Sequence, residues 1–289
     1  HNCSLNKFLN ANLEDSYDHI IIDAKILNTK QDLKLALPRL LSLKKKISIT
    51  VSFDNFKNIK SLYQLLHMHQ CTNNIKNIFI FNAHRDYFQN KKFQKLTNIN
   101  IVMSHYGLGL SKIRNNEISK IKKKFDNENN TQNSLFFSGA TNKLRSTRRS
   151  IINVINNLNI PKTKVITYDS YDPRKKILTP EHYINETLRS KINLVLAGQF
   201  DNLTYRFYEV SFLNKFYIID KHFLDFEVSK YYKNIDSFVF KDAKDLSEMI
   251  NFYLANPKDL KEVQLQQSYS FNSFYNFDKH GKELFKYIK

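Results

Sequence analysis

Arg206 and Glu209 stand three residues apart in Thr204-Tyr-Arg-Phe-Tyr-Glu209, a stretch that follows an apolar run ending in Leu196-Ala-Gly198. On a helix that spacing puts both charged side chains on one face. If Thr204 caps the helix, the capping-box position falls on Phe207, so Glu209 is not explained as a capping residue. Its two acceptor oxygens match the vicinal hydroxyls of a nucleotide ribose. Arg206 then suits a phosphate, or orients the acid. The plain alternative is an exposed ion pair, worth roughly a few tenths of a kcal/mol.

A second cationic cluster follows Gly139 in Leu135-Phe-Phe-Ser-Gly-Ala-Thr-Asn-Lys-Leu-Arg-Ser-Thr-Arg-Arg149. Lys143, Arg145, Arg148 and Arg149 crowd the start of a helix whose apolar face is Ile151, Ile152, Val154, Ile155 and Leu158, with Ser146 or Thr147 expected as its N-cap. Cations at a helix start oppose its dipole, so an anion is expected to compensate them. A diphosphate docked between Gly139 and the free N–H groups of the turn would do so, with Lys143 or an arginine as counter-charge. A solvated basic helix end is the alternative. Of the five glycines in the chain, Gly107, Gly109, Gly139 and Gly198 follow directly on apolar runs, as if several strand ends border one crevice.

A base for a hydroxyl acceptor is sought at strand ends in the first half: Asp54, His84 and His105, of which His105 beside Tyr106-Gly-Leu-Gly109 ranks first. His67, His69 and Cys71 resemble a metal site, but residues two apart do not share a helix face, so no metal is expected there.

The elements that must position these residues alternate. Strand signals at 19–23, 47–53, 78–81 and 99–103 enclose helical stripes at 32–43 and 59–66. From 110 to 133 the pattern becomes lysine- and asparagine-rich, read as a helix fragment followed by a linker. A second series then runs strand 135–137, helix 148–158, strand 164–168, helix 180–189, strand 192–197, helix 205–213 and strand 216–219. After it come a strand at 237–240, a helix at 243–254 and a terminal helix over 260–289, whose Tyr269, Phe271, Phe274, Tyr275 and Phe277 fit a helix core as well as base stacking. Such alternation predicts parallel α/β sheets.

The chain has 289 residues, 42% of them hydrophobic, enough for two cores, and no apolar run near the roughly 18 residues of a membrane span. Two cysteines, Cys3 and Cys71, are too few for a disulfide framework, and nothing at the start resembles a signal peptide, so a cytoplasmic protein is expected. The chain opens on His1 rather than Met, which leaves room for residues upstream. A formal charge of +18 points to an anionic partner such as nucleotide phosphates, an anionic membrane surface or nucleic acid, or else to compositional drift in a Lys-, Asn- and Ile-rich chain.

Gly139 with its following arginines, Leu196-Ala-Gly198, Thr204–Glu209, Phe216-Tyr-Ile-Ile219 and 238–257 resemble the C-terminal half of GT-B glycosyltransferases of the group-1, spore-maturation-like and exostosin-like sets. The resemblance covers roughly residues 135 to 260. It implies two Rossmann-like domains facing across a cleft: an acceptor domain at 1–125, a donor domain at 126–268, and a terminal helix at 269–289 that crosses back. It also implies a metal-independent enzyme without a cofactor, moving a sugar from a UDP- or GDP-linked donor, ahead of a CMP-linked one, to a glycan or other hydroxyl acceptor. Donor-binding residues would be Gly139, Lys143, Arg145, Arg149, Gly198, Thr204, Tyr205, Arg206 and Glu209. Family members usually carry Gly and Pro where this chain has Asn214-Lys215-Phe216, so a less permissive loop is expected after the donor helix. The rival readings are a non-catalytic basic α/β protein that binds polyanions or nucleic acid, and a glycosyltransferase that acts on DNA.

Overall fold

A computed structural model of the protein describes residues 19–23, 30–42, 46–52, 75–81, 100–104, 112–125, 131–141, 146–168, 178–198 and 203–275, with positions 282 and 286. By its contacts the chain forms two compact units, His1–Leu108 with Asn276–Lys289, and Gly109–Tyr275.

In the first unit β1 (His19–Asp23), β2 (Lys46–Ser52), β3 (Ile75–Phe81) and β4 (Asn100–Ser104) form a parallel sheet in that order, with α1 (Lys30–Ser42) between β1 and β2 in the chain. Ile20, Ala36, Leu40, Ile47, Ile49 and Phe79 are buried, and buried Asn77 donates to Ser48 Oγ at 3.0 Å. The helical stripe at 59–66 and the cluster His67, His69 and Cys71 lie outside the described residues.

The second unit opens with α2 (Lys112–Phe125), the helix expected between 110 and 133. The sequence division after residue 125 assigns it to the first domain. In the structure it belongs to the second unit: Ile118 is fully buried, and the Phe125 ring lies 5.7 Å from the Arg189 guanidinium. There follow β5 (Asn133–Ala140), α3 (Ser146–Asn157), β6 (Thr163–Tyr168), α4 (Pro180–Arg189), β7 (Ser190–Val195), α5 (Tyr205–Phe212), β8 (Tyr217–Asp220), three 3-10 turns between Lys221 and Ser237, β9 (Val239–Phe240), α6 (Ala243–Ala255) and α7 (Pro257–Phe274).

All pairings in this sheet are parallel, in the order β6-β5-β7-β8-β9. Numbered within the unit, that order is 2-1-3-4-5, and it reverses direction between β5 and β7. Ligands of open α/β sheets bind outside the carboxyl ends of the strands at such a switch point. β5 is buried from Leu135 to Ala140, as a strand covered on both faces must be.

Local chemistry fixes the element ends. Thr179 caps α4 by accepting the His182 N–H at 3.1 Å, Pro180 occupies the first turn where no N–H is needed, and Arg189 sits in the last turn. α5 ends without glycine: Asn214 takes φ 55°, and the Lys215 N–H reaches back to the Val210 carbonyl at 3.2 Å. Asparagine tolerates this left-handed position, so the turn closes as a glycine would close it. The expected terminal helix is α7, which begins at Pro257 rather than Leu260 and is described to Phe274. Phe271 and Phe274 are buried, Tyr275 stacks on Phe271 at 4.6 Å, and Tyr269 is 78% exposed. Phe271 and Phe274 of that aromatic run are therefore core, with Tyr275 packed against it, and Phe277 lies outside the described residues.

At the amino ends of β5 and β6, buried Glu186 accepts from Lys164 Nζ at 2.6 Å and from Asn133 Nδ2 at 2.9 Å, with His182 Nε2 at 3.5 Å. Burial raises its pKa, but the bonds from Lys164 and Asn133 and the charges of Lys164 and His182 outweigh it, and the carboxyl is held below its usual range. A lowered folded pKa gives stability that is present above the unfolded value of 4.5 and lost as pH falls through the folded one. Because Lys164 is partly exposed, solvent screens the pair, and Glu186→Gln is expected to cost about 1–2 kcal/mol at pH 7. The gap in urea midpoint between wild type and variant should close near pH 3; a gap that persists there contradicts the charge assignment.

Candidate functional site

The site grows from Gly139, near the carboxyl end of β5. A Cβ placed there would lie 2.8 Å from Phe137 Cζ, 3.1 Å from Arg148 Nη1 and 3.3 Å from Arg206 Nη1. Two guanidinium groups, from α3 and α5, thus converge on the space that the missing side chain leaves open. Glycine is required here for side-chain approach, at the topological switch.

Arg148 is buried and its partners are backbone carbonyls. Nη1 donates to Ala140 O at 3.1 Å, Nη2 to Leu196 O at 3.1 Å, and Nε to Ala197 O at 3.0 Å. Its guanidinium also lies 5.9 Å from the Phe137 ring centre. Arg149 donates to Thr141 O at 3.2 and 3.0 Å. Two of the cations at the start of α3 therefore find carbonyl oxygens, a compensation that the dipole argument had assigned to an anion. Lys143 and Arg145 lie outside the described residues.

Arg206 differs. It is half-buried, its guanidinium rests 5.6 Å from the Tyr183 ring centre, and its buried Nε meets no hydrogen-bond partner among the described residues. Thr204 stands at the N-cap of α5 with extended backbone, but its hydroxyl does not cap the helix, and its buried Oγ1 is likewise unpartnered among the described residues. No acid occupies the first turn of α5. A cation and an N-cap hydroxyl, each with a donor unused among the described residues, are the kind of group that an anion engages.

α5 is aimed by its other face. Phe207, Tyr208, Val210 and Ser211 are buried, and the Phe207 ring packs against Tyr217 at 5.8 Å, Phe223 at 5.2 Å, Tyr232 at 6.1 Å and Phe271 at 6.4 Å. Tyr205 remains exposed at 41%, and Glu209 is half-buried one turn beyond Arg206.

Asp220, which ends β8, was not singled out from sequence. Its Oδ2 accepts the Ala197 N–H and its Oδ1 the His222 N–H at 3.1 Å. Burial raises its pKa, opposed by the Ala197 N–H, the His222 charge and N–H, and the Arg148 charge. Beside it a pocket lined by Leu203, Thr204, Asp220, His222 and Phe223 has room for about one water molecule.

Of the expected donor residues the structure brings Arg206 to Gly139 and Arg149 to the Thr141 carbonyl just past β5, while Thr204, Tyr205 and Glu209 share α5 or its cap with Arg206, and Gly198 follows β7. The candidate bases Asp54, His84 and His105 lie outside the described residues. Arg148, read from sequence only as one of the cations at the start of α3, and Asp220 are the buried charged groups at these strand ends. A charged residue directly at a strand end, Ile-Ile-Asp220, was the available signal for the second. Among the described residues no group of three or more His, Cys, Asp or Glu side chains could hold a metal ion, and no helix is long and apolar enough to cross a membrane.

No protein-family model matches the sequence, and no curated protein matches it. Solved structures do match the fold. A sucrose-phosphate synthase from Thermosynechococcus elongatus superposes with a TM-score of 0.61 at 9% identity, over 98% of this chain and 76% of its own. Anabaena HepE in complex with UDP and glucose gives 0.62 at 10% identity, over 98% and 80%. T4 phage BGT in complex with UDP-glucose gives 0.52 at 12% identity, over 98% and 85%. The fold is that of the GT-B glycosyltransferases. The convergence on Gly139 lies near the carboxyl end of β5, within the half of the chain that carries the resemblance.

Gly139→Ala forces the buried Phe137 ring or one of the two guanidinium groups to move. The expected cost is about 1–3 kcal/mol, read as a lower urea midpoint with unchanged slope. A midpoint equal to that of the wild type contradicts the close approach.

Proposed function

We propose that this protein is a glycosyltransferase that moves a sugar from a UDP-linked donor to a hydroxyl acceptor. One observation carries the reading: Arg206, with a buried Nε that no described residue satisfies, converges with Arg148 over Gly139 at the switch point of a GT-B sheet. The structures that share the fold support the choice of nucleotide, since HepE was solved with UDP and glucose and T4 phage BGT with UDP-glucose.

In this reading the donor diphosphate lies against Gly139 and Gly198, with Arg206, the start of α5 and the Thr204 hydroxyl as its donors, and Lys143, Arg145 and Arg149 supplying further positive charge. Glu209 accepts from the ribose hydroxyls and Tyr205 flanks it. As the bond from sugar to diphosphate breaks, negative charge grows on the leaving group, and fixed donors stabilise it without reorganising. These cations do the work a divalent ion would do, so we assign no metal. The acceptor hydroxyl loses its proton to a base, which we assign to His105, with Asp54 and His84 as the alternatives. The charge of +18 supports an acceptor that is itself anionic, nucleic acid included, and attachment to an anionic surface.

UDP, GDP, CMP and ADP separate the donor classes by thermal shift. A hundredfold excess over Kd stabilises by about 2.7 kcal/mol, and UDP is the expected hit. Calorimetric titration then divides the roles. Arg206→Ala is expected to weaken UDP about 10- to 100-fold and leave uridine unchanged, whereas Glu209→Ala weakens both. Equal UDP affinity in all three proteins contradicts the assignment.

A further inference from the structure

Arg148 is 4% exposed and Asp220 6%, and a charge taken from water costs several kcal/mol unless it is well hydrogen-bonded. A side chain needed only to seat α3 on the sheet could be apolar. Arg148 instead donates to the Leu196 and Ala197 carbonyls, 48 and 49 residues further along the chain, and to Ala140 O, so it ties the end of β5 to the end of β7. Asp220 meets the same segment from β8: its Oδ2 accepts the Ala197 N–H. The peptide between Leu196 and Ala197 is thus held at both poles, its oxygen by Arg148 and its N–H by Asp220. Gly198 follows at once, and α5 begins with Thr204, Tyr205 and Arg206.

We infer that Arg148 and Asp220 are positioning residues for the donor: by gripping the Leu196–Ala197 peptide from opposite sides, they fix the backbone just past the end of β7 and so set where the diphosphate lies against Arg206. The inference rests on the donor reading above. Neither residue needs to touch the substrate. The planar fork of arginine reaches several carbonyls at once, which lysine with its single ammonium cannot do. Both oxygens of Asp220 accept N–H bonds, so in Asp220→Asn one of the two N–H groups faces an NH2 group.

The sign of the effect separates positioning from simple electrostatics. Removing a negative charge near an anion site tightens anion binding by Coulomb's law, whereas loosening the strand end weakens it. Isothermal titration with UDP on the full chain compares wild type, Asp220→Asn, Arg148→Lys and Ile250→Val. The last is a core change in α6 that serves as the stability control. Asp220→Asn and Arg148→Lys are expected to weaken UDP binding about tenfold or more, as loss of an outer-shell partner does at other sites, with Ile250→Val within about twofold of wild type. Thermal melts establish that each protein is folded; should Arg148→Lys fail to fold, Asp220→Asn carries the test. UDP binding by Asp220→Asn as tight as, or tighter than, that of a wild type that does bind overturns the positioning role alone. Absence of binding by the wild type overturns the donor reading and the positioning role together.

Discussion

The second unit is organised around one buried cation. Arg148 sends its N–H groups to carbonyls of Ala140, Leu196 and Ala197, at the ends of two strands that neighbour each other only because the sheet order reverses there. A guanidinium with low exposure must be hydrogen-bonded almost completely, and the unused carbonyls past a strand end are what the carboxyl edge of a parallel sheet supplies. The same group, with the Phe137 ring and the Arg206 guanidinium, crowds any side chain at residue 139. Glycine, arginine and strand order are therefore one constraint, and it draws two guanidinium groups into the space at the sheet edge where a Cβ would stand.

A second constraint aims α5 into that space. The helix has only eight residues, too few to be stable by propensity alone, and its stability comes from the ring of Phe207 set among Tyr217, Phe223, Tyr232 and Phe271. α7 secures the same region: Gln267 Nε2 donates to the Tyr217 carbonyl at 2.8 Å, and Gln264 donates to the carbonyl of Asn214. With one face committed to the core, the three-residue spacing of Arg206 and Glu209 turns both side chains toward the other. An Nε without a partner among the described residues, on a half-buried arginine, is costly, and a binding site is where such a cost is tolerated.

Much of this was legible in the sequence. Thr179-Pro180 and Arg189 mark α4 at both ends because caps are local chemistry, and the stretch from Thr204 marks α5 because helical spacing is local too. Arg148 was not legible as a structural group. A sequence gives its charge and its place in a first helical turn, but not that its fork reaches residues nearly fifty positions away. Strand order was equally hidden, since neighbours in a parallel sheet need not be neighbours in the chain, and with it the switch point and the part played by Asp220. The absence of glycine after α5 suggested a stiff loop; Asn214 resolves it, and in a chain with five glycines Asn159 and Asn234 also adopt positive φ.

The central claim is that the guanidinium groups converging on Gly139 receive the diphosphate of a nucleotide donor. A crystal structure of the UDP complex tests it most directly. The account predicts phosphate oxygens within hydrogen-bond distance of the Arg206 guanidinium and of the start of α5, with the ribose hydroxyls on the Glu209 carboxylate. UDP bound away from the carboxyl ends of β5 and β7, or an Arg206 that stays unpaired in the complex, would contradict it.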